Sequence, residues 1–91
     1  MGEMSNIQEE VSKRPDFEDL MKEVQDVIGF IKGKGYEFRW VLKHVEDVEA
    51  GWKEVVLTVY VKASVEDVLE LWDELYEHVD VKKIVIEMRP D

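Results

Sequence analysis

Residues 36–62 read YEFRWVLKHVEDVEAGWKEVVLTVYVK, and two runs within them decide the fold. In the first, Tyr36, Phe38, Trp40, Leu42 and His44 alternate with Glu37, Arg39, Val41, Lys43 and Val45. In the second, Val55, Leu57, Val59 and Val61 alternate with Glu54, Val56, Thr58, Tyr60 and Lys62. A period of two is the mark of a strand, because successive side chains leave opposite faces of a pleated backbone. Asp47 to Gly51, between the runs, supplies turn chemistry, so the two strands form a hairpin.

The register of that hairpin follows from burial. A loop of Val48, Glu49, Ala50 and Gly51, with Asp47 opposite Trp52, puts Phe38, Trp40 and Leu42 on the face of Val55, Leu57, Val59 and Val61. A slip of one residue sends the two sets to opposite faces. The first register makes one face wholly apolar and gathers the charges on the other. It is the expected one.

Upstream, Phe17, Leu20, Met21, Val24, Val27, Ile28 and Ile31 fall at helical spacing. Asp16, with Asp19 three residues on, is placed to cap that helix. Gly33 and Gly35 end it, and Lys32 and Lys34 suit the negative end of its dipole. Gly29 sits inside it at roughly 1 kcal/mol against alanine, which a close backbone approach to the sheet would explain. Downstream, Ser64 with Asp67 opens a second helix, whose stripe is Val65, Val68, Leu69, Trp72, Leu75, Tyr76 and Val79, with Leu71 off it. Val81 to Met88 is the last strand, with Ile84, Ile86 and Met88 inward and Lys83, Val85 and Glu87 outward. A right-handed crossover makes it parallel to the second strand of the hairpin. Trp40, Trp52 and Trp72 read as core or core-edge residues.

Residues 1–14 carry only scattered apolar side chains, Met4, Ile7 and Val11, and read as a flexible N-terminal tail. Ser5 with Gln8 offers a cap for one short helical turn, which Pro15 would stop. Residues 15–91 form a single domain. The fold class is α+β, a two-layer sandwich of order α-β-β-α-β with a three-stranded mixed sheet and both helices on one face. That order resembles a ferredoxin-like unit lacking its first strand. Either the three strands lie in sequence order, or the tail or another chain fills the vacant position. The resemblance carries no functional implication.

Composition narrows the functional classes. The chain has 91 residues, no cysteine and a net charge of −10. Disulfides and thiolate metal sites are thereby excluded. The acidic balance argues against a nucleic-acid backbone or an anionic membrane as partner, since both call for clustered Lys and Arg. There is no apolar run of about 20 residues to span a bilayer and no apolar leader core, so the expected location is cytoplasmic. Glu- and Lys-rich usage with few Asn and Gln resembles that of thermophiles.

Two surfaces stand out. The outer sheet face presents Arg39, Val41, Lys43, Val45, Val56, Thr58, Tyr60, Lys62, Lys83 and Val85, at a charge near +1 with Glu37, Glu54 and Glu87 included. If both helices cover the other face, nothing in the chain covers this one. The second surface is the polar side of the second helix, Glu66, Asp67, Glu70, Asp73, Glu74 and Glu77, without a single Lys or Arg. It suits a basic protein partner.

Catalytic readings find little support. Ser5 and Ser12 lie in the tail and Ser64 is committed to capping, so no nucleophile is placed beside a base. Lys32-Gly33-Lys34-Gly35 closes a helix, whereas a phosphate loop opens one. Glu74 and His78 are four apart on a helix, and His44 could join them as metal ligands, although no spacing requires it. The expected function is a non-enzymatic interaction module, forming a homodimer through its sheet and presenting an acidic helix, with no cofactor. The alternative is a small-ligand or divalent-metal binding domain.

Overall fold

The computed structural model describes residues 5–7 and 9–91. The elements in chain order are β1 (Ser5–Ile7), α1 (Glu9–Ser12), α2 (Phe17–Gly33), β2 (Phe38–Asp47), β3 (Trp52–Val61), α3 (Val65–His78) and β4 (Val85–Pro90). This is the expected α+β arrangement, with β2, β3 and β4 as the three long strands. The sheet runs in the order β1-β2-β3-β4. β2 and β3 are antiparallel, and β4 is parallel to β3. No strand intervenes between β3 and β4, so the split of a ferredoxin-like sheet is not reproduced.

The hairpin register is the one that burial demands. Asp47 faces Trp52, Leu42 faces Leu57, Trp40 faces Val59 and Phe38 faces Val61. The loop closes through Gly51 N–H to the Asp47 carbonyl at 2.8 Å and Ala50 N–H to the Asp47 carboxylate at 2.9 Å. Gly51 takes φ +73°, the left-handed region that favours glycine.

One core joins the two layers. Leu20, Val24, Val27, Ile28 and Ile31 of α2 and Val68, Leu71 and Leu75 of α3 meet the inner face of the sheet. That face is Phe38, Trp40, Leu42, Val55, Leu57, Val59, Val61, Ile86 and Met88, with Ile84 just before β4. The shared face of the hairpin follows directly from its register.

Four local expectations are corrected. The segment expected to be a tail adds β1 to the sheet, parallel to β2, and buries Val11 at 0% exposure in the core. Its scattered apolar residues were too few to show a period, yet one of them is central. The Ser5–Gln8 capping turn is not formed as read, because Ser5 lies in β1, while Gln8 and Met4 fall outside the described residues. The helical turn itself begins at Glu9. Asp16 makes no side-chain cap on α2. Its carboxylate instead accepts both Arg14 Nε and Nη2, at 2.9 and 3.1 Å. Gly29 is exposed, and a Cβ there would meet nothing within 4 Å, so no close approach to the sheet accounts for it. Ser64, by contrast, caps α3 as read, accepting the Asp67 N–H at 3.2 Å.

Candidate interaction surfaces

The outer sheet face is built by the residues that alternate with the core rows. Arg39, Val41 and Lys43 of β2 lie beside Tyr60, Thr58 and Val56 of β3, in that order. β4 continues the same rows, with Val85 beside Val56 and Glu87 beside Thr58. Among the described residues no helix lies on this side, since both long helices bury their stripes on the other. Val56 and Thr58 are nevertheless buried, because a short side chain in a middle strand is sheltered by longer neighbours on both sides. Among the described residues the Thr58 hydroxyl has no hydrogen-bond partner. Val85 is 42% exposed, and Val41, Val45 and Tyr60 are half-buried.

Charges on this face are mostly paired. The Arg39 guanidinium stacks over the Tyr60 ring at 4.0 Å and reaches the Asp91 carboxylate at 3.4 Å. Arg89 Nε donates to Glu87 at 2.6 Å, which raises the arginine pKa further. Lys62 lies 3.6 Å from Glu37. Lys43 has no ion pair among the described residues.

Lys83 is not on this face. Its Nζ lies 3.4 Å from Asp19 of α2, on the helix side of the molecule. The physical reason is that β4 does not begin until Val85. The chain before it is drawn to α2 by Glu23, whose carboxylate accepts the backbone N–H groups of Lys82 and Lys83 at 2.9 Å each. Arg89 takes the place that Lys83 was expected to fill, so the face carries Arg39, Lys43, Lys62 and Arg89 against Glu37, Glu54, Glu87 and Asp91, a charge near zero that leaves the chain's −10 to its other surfaces.

The acidic helix is also revised in detail. Glu66, Glu70, Asp73 and Glu77 of α3 are exposed. Glu74 is engaged, with its carboxylate 2.6 Å from Lys34 Nζ beyond the C-terminus of α2, and that hydrogen bond raises the lysine pKa. The same lysine lies over the Phe30 ring at 5.4 Å, and Phe30 stacks on His78 at 5.7 Å. These contacts hold α3 beside α2. Leu71, expected off the buried stripe, is 3% exposed, whereas Val65, Leu69 and Tyr76 are 59%, 54% and 54% exposed. α3 is therefore rotated about its axis from the expected setting.

His44, Glu74 and His78 do not assemble into a metal site. His78 Nδ1 meets the Glu74 backbone carbonyl at 2.9 Å, and the Glu74 carboxylate faces Lys34. His44 sits in β2 opposite Val55. Among the described residues no group of three or more His, Asp or Glu is arranged to hold a metal ion. Among the same residues, no helix is long and apolar enough to cross a membrane.

No protein-family model matches the sequence, and no curated protein or solved structure matches it significantly.

Proposed function

We propose that the protein is a cytoplasmic, non-enzymatic interaction module that forms a homodimer through its outer sheet face. The observation that carries this reading is the charge of that face, near neutral on a chain of −10. Any two copies repel each other over most of their surfaces, and the sheet face is where repulsion is least. It also supplies the apolar area, in Val41, Val45, Val85 and Tyr60.

The face is suited to two-fold pairing. A two-fold axis parallel to the strands and passing over β3 lays β2 of one copy on β4 of the other, in the isologous manner usual for dimers. Lys43, which lacks an ion pair among the described residues, then lies over Val85, and Val41 lies over Glu87. Burying about 400 Å² of apolar surface contributes roughly 10 kcal/mol. Association opposes this with on the order of 4–15 kcal/mol, so the expected dimer is a reversible one, sensitive to single substitutions.

Sedimentation equilibrium at micromolar concentration tests the reading. The chain should reverse between monomer and dimer, and Val85→Lys or Tyr60→Glu should leave folded monomer. A strict monomer, or a dimer indifferent to both substitutions, contradicts it.

A further inference from the structure

Around the axis of α3 the residues fall into three arcs, where an amphipathic surface helix ordinarily shows two. Val68, Leu71 and Leu75 face the core. Val65, Leu69, Trp72 and Tyr76 come next, at i, i+4, i+7 and i+11, and lie within about 60° of one another at about 100° per residue. Asp73, Glu66 and Glu77 follow, about 70–110° beyond the centre of that apolar arc, on the flank turned away from the core. Val65, Leu69 and Tyr76 are exposed, at 59%, 54% and 54%, and the Tyr76 ring stacks on that of half-buried Trp72 at 6.5 Å.

Glu74 and His78, which meet Lys34 and Phe30, mark the side of α3 that faces α2. The apolar arc lies on the opposite side. A right-handed β3–α3–β4 crossover puts β4 on that same far side of β3, and β4 is the end strand of the sheet. Among the described residues the helix layer therefore stops at this arc, with room beside α3 for one more helix. The apolar seam is about 16 Å long. At its C-terminal end the Tyr76 ring lines a hollow of about 280 Å³ together with Val79, Val81 and Glu77.

We propose that the arc takes an amphipathic helix of another protein, with lysine or arginine along one flank of its apolar stripe, packed beside α3 as a third long helix of the layer. Apolar residues at i, i+4, i+7 and i+11 form the kind of seam that the ridges of a second helix fill. The charge of the occupant follows from the order of the arcs. Two helices that meet along their apolar arcs bring their outward flanks side by side, and the outward flank of α3 is the acidic row, on a helix with no Lys or Arg. Asp73, Glu66 and Glu77 make no ion pair among the described residues, so a basic flank meets carboxylates that are free to answer it. The hollow beside Tyr76 fits the aliphatic stem of one such basic residue, with Glu77 near its charged head. A second copy of this chain fits the arc less well. An antiparallel two-fold pair sets both acidic rows on the same side, and a parallel one turns each row toward the sheet layer of the other copy. The site is separate from the outer sheet face and does not depend on dimer formation there.

Fluorescence anisotropy of a labelled synthetic peptide, titrated with the full chain, tests the site. The peptide is a helix of about 18 residues with leucine along one face and lysine elsewhere, long enough to cover the seam. One control keeps its composition but scatters the leucines around the helix, and a second replaces lysine by glutamate. The first peptide should bind about tenfold or more tightly than either control. Leu69→Glu and, separately, Tyr76→Ser should each weaken it by about tenfold, and so should Asp73→Lys combined with Glu77→Lys. All four positions are exposed, so the variants should keep the circular dichroism of the parent. Glu18→Lys combined with Asp26→Lys makes the same charge change on exposed positions of α2, and should leave the affinity within about twofold, as should Tyr60→Glu. Equal binding of the scattered-leucine peptide, or binding indifferent to both Leu69→Glu and Tyr76→Ser, would overturn the proposal. Equal losses from the α3 and α2 charge reversals would do the same, since they mark attraction to net charge alone. So would a dimer of the chain that Leu69→Glu dissociates, because the occupant would then be a second copy.

Discussion

Gly29 lies on the exposed side of α2 with open space where a Cβ would stand. Its backbone is helical, so alanine is compatible with the native conformation and restricts the unfolded chain. Gly29→Ala should raise stability by about 0.5–1 kcal/mol in chemical denaturation. Gly51 is the opposite case. At φ +73° it requires the left-handed region, and Gly51→Ala should destabilise by about 1–2 kcal/mol in the same assay. Asp16 offers a third residue-scale prediction. The hydrogen bonds from Arg14 hold its carboxyl below the usual carboxylate range. A carboxyl depressed in the folded state stabilises above its unfolded value, near pH 4, and that contribution fades as pH falls through the folded value. Asp16→Asn should therefore show a shallower loss of stability on acidification below about pH 4, followed by circular dichroism. None of this pairing was legible in sequence. Asp16 followed by Asp19 has the form of a helix start, but Arg14 two residues upstream competes for the same carboxylate, and a charged hydrogen bond is stronger than a cap to a neutral N–H.

At the scale of elements, α3 is the instructive case. Its apolar residues span about 160° of the helix circumference, wider than the arc that meets the sheet, so the period identifies a helix without fixing which part of that span is buried. The structure chooses Val68, Leu71 and Leu75 and leaves Val65, Leu69 and Tyr76 outside. Leu71→Ala should then lower stability by about 2–5 kcal/mol, and Leu69→Ala by about 0.5 kcal/mol or less, in parallel urea titrations. A reversed order would restore the original rotation of the helix. The link between α2 and the foot of β4 was equally illegible, because Glu23 and the Lys82–Lys83 backbone lie about 60 residues apart in sequence. Glu23→Ala leaves two N–H groups without their carboxylate and should destabilise by about 1–3 kcal/mol, read from the unfolding midpoint. Ser64, by contrast, was legible, since its uncharged hydroxyl does not draw Lys62, which pairs with Glu37, and its acceptor role needs only the next turn.

For the whole molecule, the hairpin carried most of what could be read. Two apolar rows and a four-residue loop admit one register that buries both, and the structure adopts it from Asp47–Trp52 to Phe38–Val61. The outer face followed from that register and is present as rows of Arg39, Val41 and Lys43 against Tyr60, Thr58 and Val56. Lys83 escaped because the start of a strand is set by tertiary contact with α2, which alternation does not record. β1 escaped because three residues are too short a window for any period. The charge distribution then underlies the proposed behaviour of the molecule, a near-neutral sheet side for a second copy on an otherwise acidic chain.

Isotope-filtered nuclear Overhauser measurement on a mixture of labelled and unlabelled chains probes the sheet-face dimer atom by atom. Contacts between copies should join the methyl groups of Val41 and Val85 to each other and to the Tyr60 ring. An absence of contacts between copies at millimolar concentration, or contacts arising only from Leu69 and Tyr76, would contradict the account.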